Sequence, residues 1–228
     1  ETFCPKFLGL PDMVRQSLDK LPTMLEPRID LKKGKNELYE VFRDLGLSLE
    51  ASLAKVKSAF KSATKVQKDY LNLLYQELTP PEAIDMLFNG TGQTIAKQNG
   101  CDLKIAIVGY PYTLYDPYIN AGLLKILQRE NVKIYTQDML SDKTMHKQVK
   151  MLPKSMFWYY SNRVMYGALH FMKRKDIDGI IHVTAFACGP DSMVDRLLEI
   201  ETRRRTELPY LSINIDEHTG EAGVMTRI

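Results

Sequence analysis

Four short apolar runs in the second half of the chain restrict its fold more than any other feature. Lys104–Val108 (ending at Gly109), Val132–Thr136, Gly179–Thr184 and Pro209–Asp216 are rich in β-branched residues. Strands covered on both faces read as unbroken hydrophobic runs rather than alternating ones. Helical patterns lie between the runs, over Tyr118–Gln128, over 156–172 and over Asp191–Arg205. Strand–helix–strand alternation implies parallel pairing with right-handed crossovers. The expected fold is therefore α/β, a Rossmann-like, mostly parallel sheet with a helical N-terminal region. Ser141–Pro153 reads as a loop.

Residues 1 to about 100 have a different texture. Leu49, Leu53, Val56, Phe60, Ala63, Tyr70 and Leu74 recur at spacings of three, four or seven, the period of a long amphipathic helix. Pro80-Pro81 stops that helix, and Thr79-Pro-Pro-Glu82 has the makeup of a fresh helix start. A loop entering a helix near Pro11 precedes them, and Leu21–Lys35, with two prolines and a glycine, reads as an irregular connection. The expected organisation is a mainly helical region, 1–100, and a Rossmann-like α/β region, 101–228. Periodicity alone equally allows the first region to be a scaffold or dimerisation arm.

Composition excludes several classes. With 228 residues the chain can bury a core without disulfides or metal. Thirty-one Lys and Arg against 28 Asp and Glu leave a formal charge of +3, too small a bias to point to nucleic acid. No apolar run approaches the roughly 18–20 residues of a membrane-spanning helix. Cys4, Cys101 and Cys188 are scattered and odd in number, which argues against a secreted disulfide framework. A reducing, cytoplasmic setting is expected. The start at Glu1, without Met and four residues from a cysteine, is expected of a processed or cut chain.

In open parallel sheets ligands bind beyond the carboxyl ends of the strands. Three unusual segments fall there: Gly109-Tyr-Pro-Tyr-Thr-Leu-Tyr-Asp-Pro-Tyr-Ile-Asn120, Phe186-Ala-Cys-Gly-Pro-Asp-Ser192 and Asp216-Glu-His-Thr-Gly-Glu-Ala-Gly223. Cys188 stands between a strand end and a helix start, where backbone N–H groups and the helix dipole favour a thiolate. A buried structural cysteine is the competing reading. Cys4 occupies a second Pro/Gly-rich turn, whereas Cys101 precedes the first strand and sits at the wrong edge for a shared site. His218 is a candidate proton donor or polar site residue, with a hydrogen-bonded structural role as the alternative. His146, His170 and His182 carry no motif around them. Gly90-Thr-Gly-Gln-Thr94 lacks the Lys-Ser/Thr ending and the preceding strand of a phosphate loop, so it reads as a turn ending a helix. Gly109-Tyr-Pro is not the dinucleotide-binding glycine pattern either.

Taken with Cys4-Pro-Lys-Phe-Leu-Gly-Leu-Pro-Asp-Met13 and the closing Asp216–Ile228 stretch, these segments resemble one family over essentially the whole chain. It is the acyl-CoA dehydratase activase-related family, relatives of the 2-hydroxyglutaryl-CoA dehydratase D component and of benzoyl-CoA reductase subunits. The resemblance implies an oxygen-sensitive iron–sulfur protein of Rossmann-like domains, in which cysteines from separate loops hold a 4Fe-4S cluster. Electrons from an ATP-hydrolysing activase then pass to an acyl-CoA for radical dehydration or reduction. Carried over by motif, Cys4 and Cys188 become the cluster thiolates. Tyr112, Asp116 and Asn120 would line the same cleft with Asp191, Asp216 and Glu217, and His218 would lie at its rim.

The pattern also departs from that family. A further cysteine motif is expected upstream of the segment that begins here, and two thiolates make a poor cubane site. The chain as it stands is thus expected to hold no complete cluster. No ATP-binding loop is visible, so ATP hydrolysis is not expected of it. The leading functional expectation is an iron–sulfur electron-transfer or dehydratase-like component, a 2-hydroxyacyl-CoA lyase part, acting with an ATP-dependent activase on an acyl-CoA. The alternative is a cluster-free Rossmann-like ligand-binding or assembly module. Thiol chemistry at Cys188 is a third reading. A homo-oligomer is compatible with all three.

Overall fold

A computed structural model describes residues 4–30, 33–90, 101 and 103–228. Thr91–Thr94 of the glycine-containing turn lie outside the described residues. The chain forms two compact units, Cys4–Leu71 and one that includes Asn72–Ile228.

The first unit is helical. α1 (Pro5–Leu8) and α2 (Leu10–Ser17) flank Gly9, and each has a proline in its first turn, a position where the missing N–H costs nothing. α3 (Gly34–Ser48) and α4 (Leu53–Tyr75) follow the irregular 18–30 segment. The periodicity had suggested one helix beginning at Leu49. Instead the chain turns there: Leu49 caps α3, and Glu50 takes a left-handed φ of 58°. Leu49 is therefore exposed. A Cβ at Gly46 would come within 2.5 Å of Val56 Cγ2, so the absence of a side chain lets α3 and α4 approach. Tyr39 and Phe42 of α3 meet the Phe60 ring at centroid distances of 5.2 and 6.0 Å.

In the second unit, α5 (Pro80–Phe88) starts as its sequence suggests, with the Thr79 N–H donating to Glu82 Oε2 at 2.7 Å. Four strands then form an all-parallel sheet: β1 (Leu103–Gly109), β2 (Val132–Thr136), β3 (Gly179–Ala185) and β4 (Tyr210–Ile215), in the order β2-β1-β3-β4. The expected α/β fold is the observed one. α6 (Pro111–Tyr115) and α7 (Leu123–Arg129) follow β1; α8 (Asp142–His146) and α9 (Tyr159–Phe171) follow β2; α10 (Gly189–Arg205) follows β3 and α11 (Glu221–Met225) follows β4.

Each face of the sheet has its own core. Ile107, Ile134, Ile181, Ile213 and Ile215 pack with Leu123, Leu127 and Val224 of α7 and α11. Ala106, Val108, Tyr135 and Ile180 pack with Val164, Ala168, Leu169, Val194 and Leu198 of α9 and α10. The path from β1 to β2 thus runs over one face, and the steps to β3 and β4 run over the other. The chain reverses direction across the sheet between β1 and β3, and a crevice opens at such a switch point beyond the carboxyl ends. Among the described residues, no helix is long and apolar enough to cross a membrane.

Candidate functional site

β1 and β3 end side by side, with Gly109 paired to Val183. Their loops leave in opposite directions. A Cβ on Gly109 would lie 2.5 Å from the Val183 carbonyl oxygen, so only glycine fits where these two ends close up. Pro111 then begins α6 and directs Tyr112 toward the other loop. Tyr112 and Cys188 both pack against the α9–α10 core, and the Tyr112 hydroxyl hydrogen-bonds the Cys188 side chain. Burial, followed by the field of Cys188 and of Asp191, pushes the Tyr112 phenol up. Tyr110 and Tyr160 complete a half-buried aromatic wall: the Tyr110 ring lies 6.0 Å from that of Tyr112 and 5.5 Å from that of Tyr160. The Tyr110 hydroxyl is 2.8 Å from Ser161 Oγ.

Cys188 is the N-cap of α10 and is half-buried. Pro190 occupies the first helical turn, and Ser192 reaches back to the Cys188 carbonyl. A sulfur here stands over the free N–H groups of a 17-residue helix, an environment that favours its anionic form.

One turn into α10 the sequence missed a larger feature. His182, in the centre of β3, is fully buried between two carboxylates of α10. Its Nε2 lies 3.2 Å from Asp191 Oδ1 and its Nδ1 lies 2.8 Å from Asp195 Oδ1. Burial alone lowers the affinity of an imidazole for its second proton, but the two carboxylates outweigh it and raise the His182 pKa to about 9. The ring is therefore an imidazolium at neutral pH, donating from both nitrogens. Asp195 also accepts from the Tyr210 hydroxyl at 2.7 Å. Although burial opposes its charge, His182, Tyr210 and Ser212 hold its carboxyl below the usual range. Asp191 has no such surplus: it is fully buried, and its Oδ2 has no hydrogen-bond partner among the described residues. The hint in the sequence was a histidine inside an apolar strand, followed by two aspartates four apart on the next helix.

The remaining expected site residues are placed elsewhere. Asp116 Oδ1 accepts the N–H groups of Tyr118 and Ile119. Asn120 is buried, donating to the Leu114 carbonyl at 2.6 Å and accepting from the Gly122 N–H at 3.0 Å. Both side chains thus fold their own loop. Beyond them a hollow of about 400 Å³ lies between Tyr118, Lys125 and Arg129 on one side and Thr219 and Gly220 on the other. It belongs to the α7–α11 face, not to the face of Cys188. Asp216 closes an exposed turn, accepting from the His218 N–H and the Thr219 hydroxyl, which hold its carboxyl low. Glu217 and His218 are solvent-facing, 3.5 Å apart.

Cys4 is half-buried and its carbonyl accepts the Phe7 N–H that opens α1. It belongs to the helical unit. Cys101 lies at the amino end of β1, the edge opposite Cys188. Among the described residues no three His, Cys, Asp or Glu side chains are arranged to hold a metal ion. These donors by themselves do not fit the ligand set of a four-iron cluster.

Residues 1–140 match the family described as CoA enzyme activase uncharacterised domain. The chain belongs to that family. The resemblance read from the Cys4 and Gly109 segments is in accord with it. Comparison with curated proteins and with solved structures gave no match. The matched part of this CoA enzyme activase domain runs from the helical unit through β1, the Tyr112 loop and β2. β3, Cys188 and the buried His182 cluster lie beyond it.

Proposed function

We propose that this CoA enzyme activase domain is an iron–sulfur electron-transfer or dehydratase-like component that works with an ATP-dependent activase on an acyl-CoA. In this reading Cys188, together with Cys4, supplies thiolate ligands to a 4Fe-4S cluster completed by donors outside the described residues. The observation that carries it is the position of Cys188. A polarised sulfur stands at a helix N-terminus, in the crevice where the order of a parallel sheet reverses, beside a tyrosine hydroxyl. The aromatic wall of Tyr110, Tyr112 and Tyr160 gives that crevice an apolar lining suited to an acyl chain.

The test is functional. Full-length protein is reconstituted anaerobically with iron and sulfide, then mixed with the activase, ATP, a reductant and a 2-hydroxyacyl-CoA, and conversion is followed by mass spectrometry. The expected result is ATP-dependent conversion that requires this protein. Equal conversion in its absence overturns the proposal.

A further inference from the structure

The buried charges behind the crevice are arranged so that they act on its sulfur. Asp191 sits one turn into the helix that Cys188 caps, and it spends one oxygen on the His182 ring. The other oxygen is buried without a partner among the described residues. The Asp191 carboxylate acts electrostatically on the Tyr112 phenol, which is itself hydrogen-bonded to Cys188. A continuous path therefore runs Tyr210–Asp195–His182–Asp191, then through the field of Asp191 to Tyr112 and Cys188.

We propose that the His182–Asp191 pair is a control element for the Cys188 thiol, setting how readily that sulfur gives up its proton. The Asp191 charge opposes an anionic sulfur, and the His182 imidazolium offsets part of that opposition. Two carboxylates against one imidazolium leave the cluster a net anion, so the thiol feels a balance and not a single charge. The groups that face this cluster come from every element packed around it: His182 from β3, Asp191 and Asp195 from α10, Tyr210 and Ser212 from β4, and Tyr112 with Tyr110 from the loop after β1. His182 and Asp191 are thus positioning residues: they would touch neither iron nor acyl-CoA. The inference rests on the proposed role of Cys188, but it concerns the thiol itself and is measured without iron.

The experiment is the pH profile of iodoacetamide alkylation at Cys188 in the iron-free full chain, resolved from Cys4 and Cys101 by peptide mass spectrometry. D191N removes the nearer anion, so the midpoint falls by up to one pH unit and alkylation below it quickens by up to about tenfold. H182Q removes the cation, so the midpoint rises and alkylation slows by a similar factor. D195N, one turn further along α10, shifts the midpoint in the direction of D191N but by less. Loosening of the fold would expose the sulfur in every variant and speed all of them, so opposite signs for D191N and H182Q identify electrostatic control. If H182Q fails to fold, the D191N and D195N ranking decides; if D191N fails, the opposed signs of D195N and H182Q decide. Shifts of one sign throughout, or an unchanged midpoint, overturn the proposal.

Discussion

His182 Nε2 lies 3.2 Å from Asp191 Oδ1, and neither side chain is open to solvent. Burying two opposite charges costs solvation on both, and their attraction offsets that cost only while both remain charged. The pH at which the ring loses its proton is therefore a pH at which the fold weakens. The His182 pKa rises from 6.5 to about 9 on folding. Its stabilisation is fully present below about pH 6.5 and is lost as pH rises through about 9. Urea melts followed by fluorescence of Trp158, the chain's single tryptophan, should show the α/β unit losing on the order of a few kcal/mol across that window. A transition midpoint that is flat between pH 6.5 and 9 would mean the ring is neutral.

Removing one member of the pair should cost more than neutralising the pair. H182A leaves Asp191 buried with no counter-charge and is expected to destabilise the unit by about 3–5 kcal/mol. The double variant H182L/D191L should recover a large part of that loss, because no charge is then stranded. Melts of the two variants and the parent check the order.

The close approach of β1 to β3 admits no side chain at Gly109. G109A would place its Cβ 2.5 Å from a backbone oxygen and 3.1 Å from Leu114 Cδ2. Backbone cannot rotate away, so the strand ends must part, at a cost of about 1–3 kcal/mol. Because Tyr112 hangs from this turn, G109A should also change the rate at which Cys188 is alkylated, while a comparable surface change at Gly189, where a Cβ meets open space, should leave stability nearly unchanged.

Much of this was legible in the sequence, and the failures have identifiable causes. β2 spans the residues its pattern indicated, and β1, β3 and β4 differ by a residue or so at each end, because strands covered on both faces leave unbroken apolar runs. The helix expected from Tyr118 begins only at Leu123. Asp116 and Asn120 bind backbone groups in the intervening turn, and Ala121 and Gly122 take left-handed backbone there. Side-chain competition of this kind is invisible to periodicity. The 141–153 loop contains α8, capped by Ser141, and a short 3-10 turn at Val149–Met151, both too brief to show a period. Cys188 was found from its neighbours in sequence. His182 was not, since its partners come from the next helix and the pairing exists only once β3 and α10 pack.

The account stands most directly on iron bound through Cys188. Full-length protein, reconstituted anaerobically, is assayed for iron content, visible absorption and EPR beside C188A, C4A and C101A. The account predicts a 4Fe-4S signature in the parent and in C101A, and its loss or marked change in C188A and C4A. A parent that binds no iron, or a C188A variant with an unaltered cluster, would contradict it.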